Sequence, residues 1–266
     1  MVAHENRAGA GSRDGVRLGI GVMARAPSSG GKTRLAPHLS EHRLLALRRA
    51  LLADTLRTVS DLRPHQQPPS PSATSVPPGG DGGSVTVFVE PAEACPEVEA
   101  LSAGPIVCVP QTAGDLGRRT CAAFEHLLET LTCDAAILVG TDIPLLTADH
   151  FDEARETLAA TGGLVLGPAD DGGYYLIGMR RVYAKLFEGL EWGTSSVLTD
   201  TLRIADRAGI EARLIRPAYD VDTIEELHRL ETDLHTASPE LAPHVREWFR
   251  AGPSSVQLVQ DPRSLR

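Results

Sequence analysis

The 266-residue sequence is short of cysteine, of cationic residues and of long apolar runs, and each shortage removes a class of function. Four cysteines, Cys95, Cys108, Cys121 and Cys133, stand apart without CxxC spacing and mostly inside apolar segments. That spacing favours buried thiols over a zinc site or a disulfide framework. Lys plus Arg total 26 against 35 Asp plus Glu, a formal charge of -9, and no basic block gathers into a nucleic-acid footprint. The balance argues against DNA or RNA as a partner. The same acidic field repels phosphorylated ligands, so such a ligand needs a local pocket of cations and backbone amides. No apolar stretch approaches the roughly 20 residues of a membrane span, and the polar start MVAHENRAGAGSRDG lacks the apolar core of a signal peptide. The reading is a cytoplasmic protein with no membrane partner. Internal repeats are absent as well, so one large α/β domain is the working assumption, and a homodimer remains an option.

What is present alternates strand with helix. The run VRLGIGVM at 17–24 suits a buried first strand, and it leads into the loop RAPSSGGKTRLAP. Leu44, Leu45, Leu47, Leu51, Leu52, Leu56 and Val59 recur at helical spacing over 41–60, with Ser40 offering an N-cap. Residues 63–83 hold six prolines among Ser and Gly, which predicts a flexible surface insertion. Strands follow at SVTVFVE, PIVCVP and AAILVG, separated by a short acidic helix and a helix over 116–131, with another helix over 148–158. GLVLGP and YYLIGM flank an ADDGG turn; helices near 181–188 and 195–208, a strand at 211–215 and a helix over 223–234 complete the pattern. Such alternation implies a mostly parallel sheet with crossover helices. The expected organisation is a disordered tail at 1–15, a nucleotide-binding domain at 16–236 and a C-terminal helix with a loose tail at 237–266.

Five segments carry candidate chemistry. Gly30 and Gly31 let backbone amides approach an anion, while Lys32 and Arg34 supply charge for phosphate oxygens. The spacing is not that of a Walker A loop, because Ala26 stands where its first glycine would fall. A solvated Gly-rich turn is the plain alternative. Asp142, in Gly140-Thr141-Asp142-Ile143-Pro144, follows a buried strand, and such a carboxylate at the carboxyl edge of a parallel sheet faces the ligand crevice. It suits Mg²⁺, which takes one or two protein oxygens and completes its shell from phosphate and water. Thr147 is the better cap for the helix behind it. In Tyr219-Asp220-Val221-Asp222-Thr223, alternation puts Asp220 and Asp222 on one side, so either could complete the metal site; Asp222 or Thr223 could equally cap the next helix. Asp170, Asp171, Gly172 and Gly173 are what a hairpin turn needs, or they admit a close ligand with Tyr174 as a wall. Gln111, at the end of the third strand, could read a base edge or simply begin a helix.

Taken in order, GGKTRLAP, QTAGDLGRR, GTDIPLL, GPADDGGYYLIG, WGTSSVL and DVDTIEEL resemble the GT-A clan of nucleotide-diphospho-sugar transferases. More narrowly they look like a bacterial family of arsenosugar-biosynthesis-type glycosyltransferases. More distantly they are similar to 2-phospho-L-lactate guanylyltransferase and the molybdenum-cofactor nucleotidyltransferases. The resemblance implies a Rossmann-like GT-A fold in a single domain. It implies that Ala24, Gly30, Gly31, Lys32, Thr33, Arg34, Gln111, Gly114, Gly117 and Thr141 contact the nucleotide. It also implies that Asp142 and Asp222, with Asp220 as a substitute, hold Mg²⁺ or Mn²⁺. Asp171, Gly172, Gly173, Tyr174, Trp192, Thr194 and Ser195 are then candidates for the acceptor pocket, with Tyr175 beside them.

Two reactions fit such a site. A nucleotidyltransferase would carry an NTP's nucleotidyl group to a small phosphorylated or oxyanion metabolite and release pyrophosphate, with Lys32, Arg34 and Asp142 as the catalytic groups. A glycosyltransferase would use an NDP-sugar donor and need a carboxylate base such as Asp170 or Asp171. The cations of the KTRL loop favour the first, since a triphosphate has more charge to cradle. A catalytically silent nucleotide-binding protein is a third reading.

Overall fold

The computed structural model describes residues 17–62 and 85–252. The expected N-terminal tail, the Pro-rich insertion and the loose C-terminal tail lie outside the described residues. Seven strands form one sheet: β1 (Leu18–Arg25), β2 (Val85–Glu90), β3 (Ile106–Pro110), β4 (Ala135–Val139), β5 (Leu164–Pro168), β6 (Tyr174–Met179) and β7 (Ala212–Leu214), in the order β3-β2-β1-β4-β6-β5-β7. β1 pairs in parallel with β2 and β4, β2 with β3, and β5 with β7, while β6 runs antiparallel to both of its neighbours. The reversal follows from the ADDGG turn, which joins β5 to β6 as a hairpin, with a register shift at Gly167 and Pro168. All the remaining strands end at one edge, and there the candidate residues gather.

Side chains alternate across the pleat, so successive strand residues feed two different cores. Ile20, Val22 and Ala24 of β1 and Ala135, Ile137 and Val139 of β4 meet Leu52, Leu56 and Val59 of helix α1 (Glu41–Asp61) and Phe151, Ala154 and Leu158 of α4 (Ala148–Thr161). On the opposite face, Ala136 and Leu138 pack with Cys121 and Phe124 of α3 (Leu116–Glu125) and Ala205 of α5 (Val197–Arg207). β1 offers that face Gly19, Gly21 and the partly buried Met23; a Cβ on Gly21 would come within 2.4 Å of the Leu138 side chain. A short α2 (Cys95–Glu99) precedes β3.

A third cluster lies at one end of the molecule. Leu35 and Leu39, just after the Gly-Gly-Lys loop, are buried with Leu44, Leu47 and Leu51 of α1, Leu227, Leu230 and Leu234 of α6 (Ile224–Thr236), and Val245 and Trp248 of α7 (Pro243–Arg250). Asp54, 4% exposed on α1, accepts the backbone N–H groups of His244 and Val245 at 3.0 and 2.9 Å and so caps α7 from another helix. Its other contact is His244 Nδ1 at 2.7 Å.

Local differences from the sequence reading have simple causes. The helix predicted over 116–131 is α-helical to Glu125 and then widens into a π turn at His126–Thr130. The helix predicted near 181–188 is a single 3-10 turn, Ala184–Phe187, which drops Leu186 and Phe187 into the core before Gly189 turns away at φ 71°. Ser40 caps α1 as expected, its hydroxyl accepting from the Arg43 N–H. All four cysteines are free thiols; Cys121 is buried and the other three are partly exposed.

Candidate active site

The loop after β1 is built on three consecutive residues with positive φ: Gly30 at 88°, Gly31 at 106° and Lys32 at 55°. Nothing lies within 4 Å of a Cβ built on either glycine, so the backbone there faces open space and a ligand can approach it. A left-handed lysine is strained, and the strain is offset by what its side chain reaches. Lys32 Nζ lies 2.6 Å from Asp142 Oδ1 and 2.7 Å from Asp222 Oδ1, with only 5% of the side chain exposed. Burial opposes the charge on Lys32, but the two carboxylates outweigh it and raise the pKa of its ammonium. Burial likewise opposes ionisation of Asp222, and Lys32 more than compensates, holding that carboxyl below its usual range.

Three local features bring these residues together. Leu35 is fully buried against the α6 cluster and anchors the loop. The Val221 N–H donates to the Asp142 carbonyl at 3.0 Å, tying the segment after β4 to the Asp220–Asp222 segment. Capping of α6 falls to Thr223, whose hydroxyl accepts from the Glu226 N–H, while Glu226 Oε2 accepts from the N–H groups of Asp222 and Thr223. The Asp222 carboxylate is thereby left for the site. Similarly Thr147, not Asp142, occupies the N-cap position of α4.

Asp142 and Asp222 present one oxygen each to a single cationic point. Two carboxylate oxygens converging so closely match the donor set that Mg²⁺ or Mn²⁺ draws from a protein when phosphate and water supply the rest. The residues therefore fit a divalent cation, with the Lys32 ammonium as its competitor. Among the described residues no group of three or more His, Cys, Asp or Glu could enclose a metal without such help.

Beside the pair opens a cavity of about 290 Å³, lined by Asp142, Asp171, Asp220 and Asp222 together with mostly apolar and aromatic groups. Tyr174 and Trp192 meet edge to face in its wall, 6.3 Å between ring centroids, and burial pushes the Tyr174 phenol pKa up. Gly173, Thr194 and Tyr175 also line it. Asp220 has a buried Oδ1 with no hydrogen-bond partner, and its carboxyl is pushed up to about 7 by burial, then by Asp171 and Asp222.

Other candidates fall outside this arrangement or enter it differently. Asp170 is ion-paired with Arg229 at 2.7 Å and does not line the cavity, so of the two turn aspartates only Asp171 faces it. Gly172 serves the turn: at φ 89° it packs on the backbone of Ser195, which is itself exposed and off the cavity. Ala24 is buried in the core, leaving only its backbone for contacts, and its carbonyl accepts from Gln111 Nε2 at 3.1 Å. Gln111 Nε2 also donates to the Phe88 carbonyl at 2.8 Å, so the amide's donor end binds β1 and β2. Gly117 is buried, and a Cβ there would meet the Phe187 carbonyl at 2.6 Å and Trp192 Nε1 at 2.8 Å; it seats the tryptophan. Thr33, Arg34 and Gly114 are exposed on the loop side, and Thr141 is half-buried next to Asp142. Sequence reasoning missed Leu116, Thr120, Met23 and Val197 in the cavity wall. Leu116 alone left a signal, as an apolar residue at the start of a helix.

A family model described as an uncharacterised protein conserved in bacteria, DUF2064, matches residues 78–194, less than half of the chain. That span includes Asp142, Asp171 and Trp192 and leaves out Lys32 and Asp222. No curated protein matches the chain in sequence. Among solved structures, a protein of Desulfovibrio desulfuricans G20 carries a provisional description as a nucleotide-diphospho-sugar transferase. It superposes with a TM-score of 0.73 at 24% identity over 87% of this chain and 95% of its own. A cytidylyltransferase of Leptospira borgpetersenii serovar Hardjo-bovis gives 0.51 at 15% identity, over 92% and 98% of the two chains. The 4-diphosphocytidyl-2C-methyl-D-erythritol synthase of Anaerococcus prevotii gives 0.52 at 12% identity, over 82% and 99%. The chain thus has the fold that its motifs resemble, a mostly parallel α/β sheet of the nucleotide-diphospho-sugar transferase type.

Proposed function

We propose that this protein is a transferase that uses an activated nucleotide together with a divalent cation held by Asp142 and Asp222. In the reading favoured here it moves a nucleotidyl group from an NTP to a small acceptor and releases pyrophosphate. The observation that carries the reading is the convergence of Asp142 and Asp222 on one cationic point, between an open Gly-Gly loop and a partly enclosed cavity. When bound, the cation supplies charge neutralisation for the phosphates. The chain's own part is positioning. Gly30 and Gly31 leave the loop open to a ligand, Arg34 stands exposed beside them, and Lys32 is within reach of whatever binds between the carboxylates. Such fixed charges act on the transition state without reorganising, which is where most of the acceleration in phosphoryl chemistry comes from.

A second reading, glycosyl transfer from an NDP-sugar, has one observation in its favour. Asp171 and Asp220 face the cavity and offer carboxylates to take a proton from an acceptor hydroxyl. A thermal-shift screen of the four NTPs and common sugar nucleotides with Mg²⁺ separates the two readings. Stabilisation by an NTP supports nucleotidyl transfer, preference for one sugar nucleotide supports glycosyl transfer, and no response to either refutes both. With the nucleotide in hand, Asp142→Asn should lower turnover by roughly a hundredfold or more. Near-normal turnover would remove Asp142 from the metal site.

A further inference from the structure

The sequence alone suggested a phosphorylated or oxyanion acceptor, and the cavity has the wrong charge for one. Its lining includes four aspartates and, among the described residues, no Lys, Arg or His. Lys32 is held by Asp142 and Asp222 and Arg34 is exposed on the loop; neither lines the cavity. Arg229, the cation next to the hairpin turn, is spent on Asp170. Asp171 and Asp220 therefore line the cavity with no ion pair among the described residues. Asp220 lines the cavity, and its Oδ1 is buried without a hydrogen-bond donor, so the carboxyl has accepting capacity left over. The rest of the wall is mostly apolar, Leu116 and Ile177 among it, with Trp192, Tyr174 and Tyr175 as its aromatic part and the threonines Thr120 and Thr194 as its uncharged polar groups.

We infer that the acceptor is an uncharged or cationic molecule with an apolar body and a hydroxyl or amino group, and not a phosphate or carboxylate. An anion placed here would lie close to Asp171, a carboxylate without an ion pair among the described residues, and one such like-charge contact at about 5 Å, partly screened by solvent, weakens binding on the order of tenfold. A hydroxyl or ammonium group would instead donate to Asp220 or Asp171, and the aromatic wall would attract a cation's positive charge. This rests on the cavity being the acceptor half of the transferase site. For an alcohol acceptor and an NTP the step balances simply. The acceptor oxygen forms its bond to the α-phosphorus, the bond from that phosphorus to pyrophosphate breaks with its electron pair on pyrophosphate, and the hydroxyl proton passes to Asp171 and on to solvent.

The chain has two tryptophans, so the indole N–H resonances of Trp192 and Trp248 form a two-signal spectrum, assigned with Trp248→Phe. Trp192 lines the cavity, and Trp248 lies in α7, where it is the internal control. The probes are 2-phenylethanol, 2-phenylethylamine, phenylacetate and phenyl phosphate, titrated to millimolar concentration. The alcohol and the amine should shift the Trp192 signal and leave Trp248 still, and both anions should bind at least tenfold more weakly. Asp171→Asn should narrow the preference for amine over carboxylate at least threefold. Either anion binding as tightly as the amine, or no shift with the alcohol and the amine, overturns the inference. The nucleotide screen is read separately. If no nucleotide stabilises the protein while the charge preference holds, the transferase reading fails and the cavity's ligand class stands. If a nucleotide stabilises it and the anions win, the reverse applies.

Discussion

Replacing Lys32 by methionine keeps most of the side chain's length and removes its charge, and it should make the free protein bind a divalent cation more tightly. In the native chain a cation must first displace the ammonium from Asp142 and Asp222, at 2.6 and 2.7 Å. Two charge-assisted hydrogen bonds are worth about 1.5–3 kcal/mol each, and the hydration regained by a released ammonium offsets part of that. A net of about 1.5–3 kcal/mol remains, which corresponds to roughly a 10- to 150-fold gain in cation affinity for Lys32→Met. The carboxylate side chains are 49% and 37% exposed, so they rehydrate when the lysine is lost and the fold should survive. The assay is Mn²⁺ titration followed by electron paramagnetic resonance without nucleotide, with the melting temperature as a control for folding. Mn²⁺ affinity that is unchanged or weaker in Lys32→Met would refute the competition between lysine and cation. In the native protein the same competition predicts weak binding of the cation alone and tighter binding once phosphate oxygens give Lys32 another partner.

The Asp220 carboxyl, raised to about 7 by burial and by Asp171, titrates well above its ordinary value of 3.8. An acid raised in the folded state contributes stability that is whole below the unfolded pKa and is lost as pH rises toward the folded one. Asp220→Asn should therefore gain on the native protein in melting temperature between pH 4 and pH 8; a constant difference would contradict the assignment. Gly117→Ala drives a methyl group into the Phe187 carbonyl and Trp192 and should cost about 1–3 kcal/mol in urea unfolding. A neutral result would mean that this contact relaxes freely. Asp54→Ala strips α7 of its cap and leaves two helix amides unpaired, at a cost of about 2–3 kcal/mol. Hydrogen exchange should show faster opening of 243–250, and equal protection in the two proteins would show that the cap carries little.

How far the sequence reached depended on the range of the interaction involved. The first strand, the leucine-rich α1 with its Ser40 cap and the strand ending before Asp142 were legible because each rests on local periodicity or on a residue within a few positions. The ADDGG segment was read as a turn or a ligand edge; it is a hairpin turn, and its Asp171 and Gly173 line the cavity because the hairpin tip falls where the parallel strands end. The fates of its two aspartates were not legible. Asp170 turns to Arg229, 59 positions away, and Asp171 turns to the cavity, a division decided by how α6 packs.

The sequence by itself determined an alternating α/β chain, a Gly-Gly loop after the first strand and a carboxylate at a strand's end, since propensity, turn chemistry and pleat alternation act over a few residues. Tertiary structure alone decided that Lys32 would sit between Asp142 and Asp222. It also decided that Thr223, not Asp222, would cap α6, and that the cavity would hold carboxylates without cations. Charges act across space and not along the chain. Their balance at a site becomes visible only once segments 110 and 190 residues apart have been packed together by Leu35, Val221 and the helices around them.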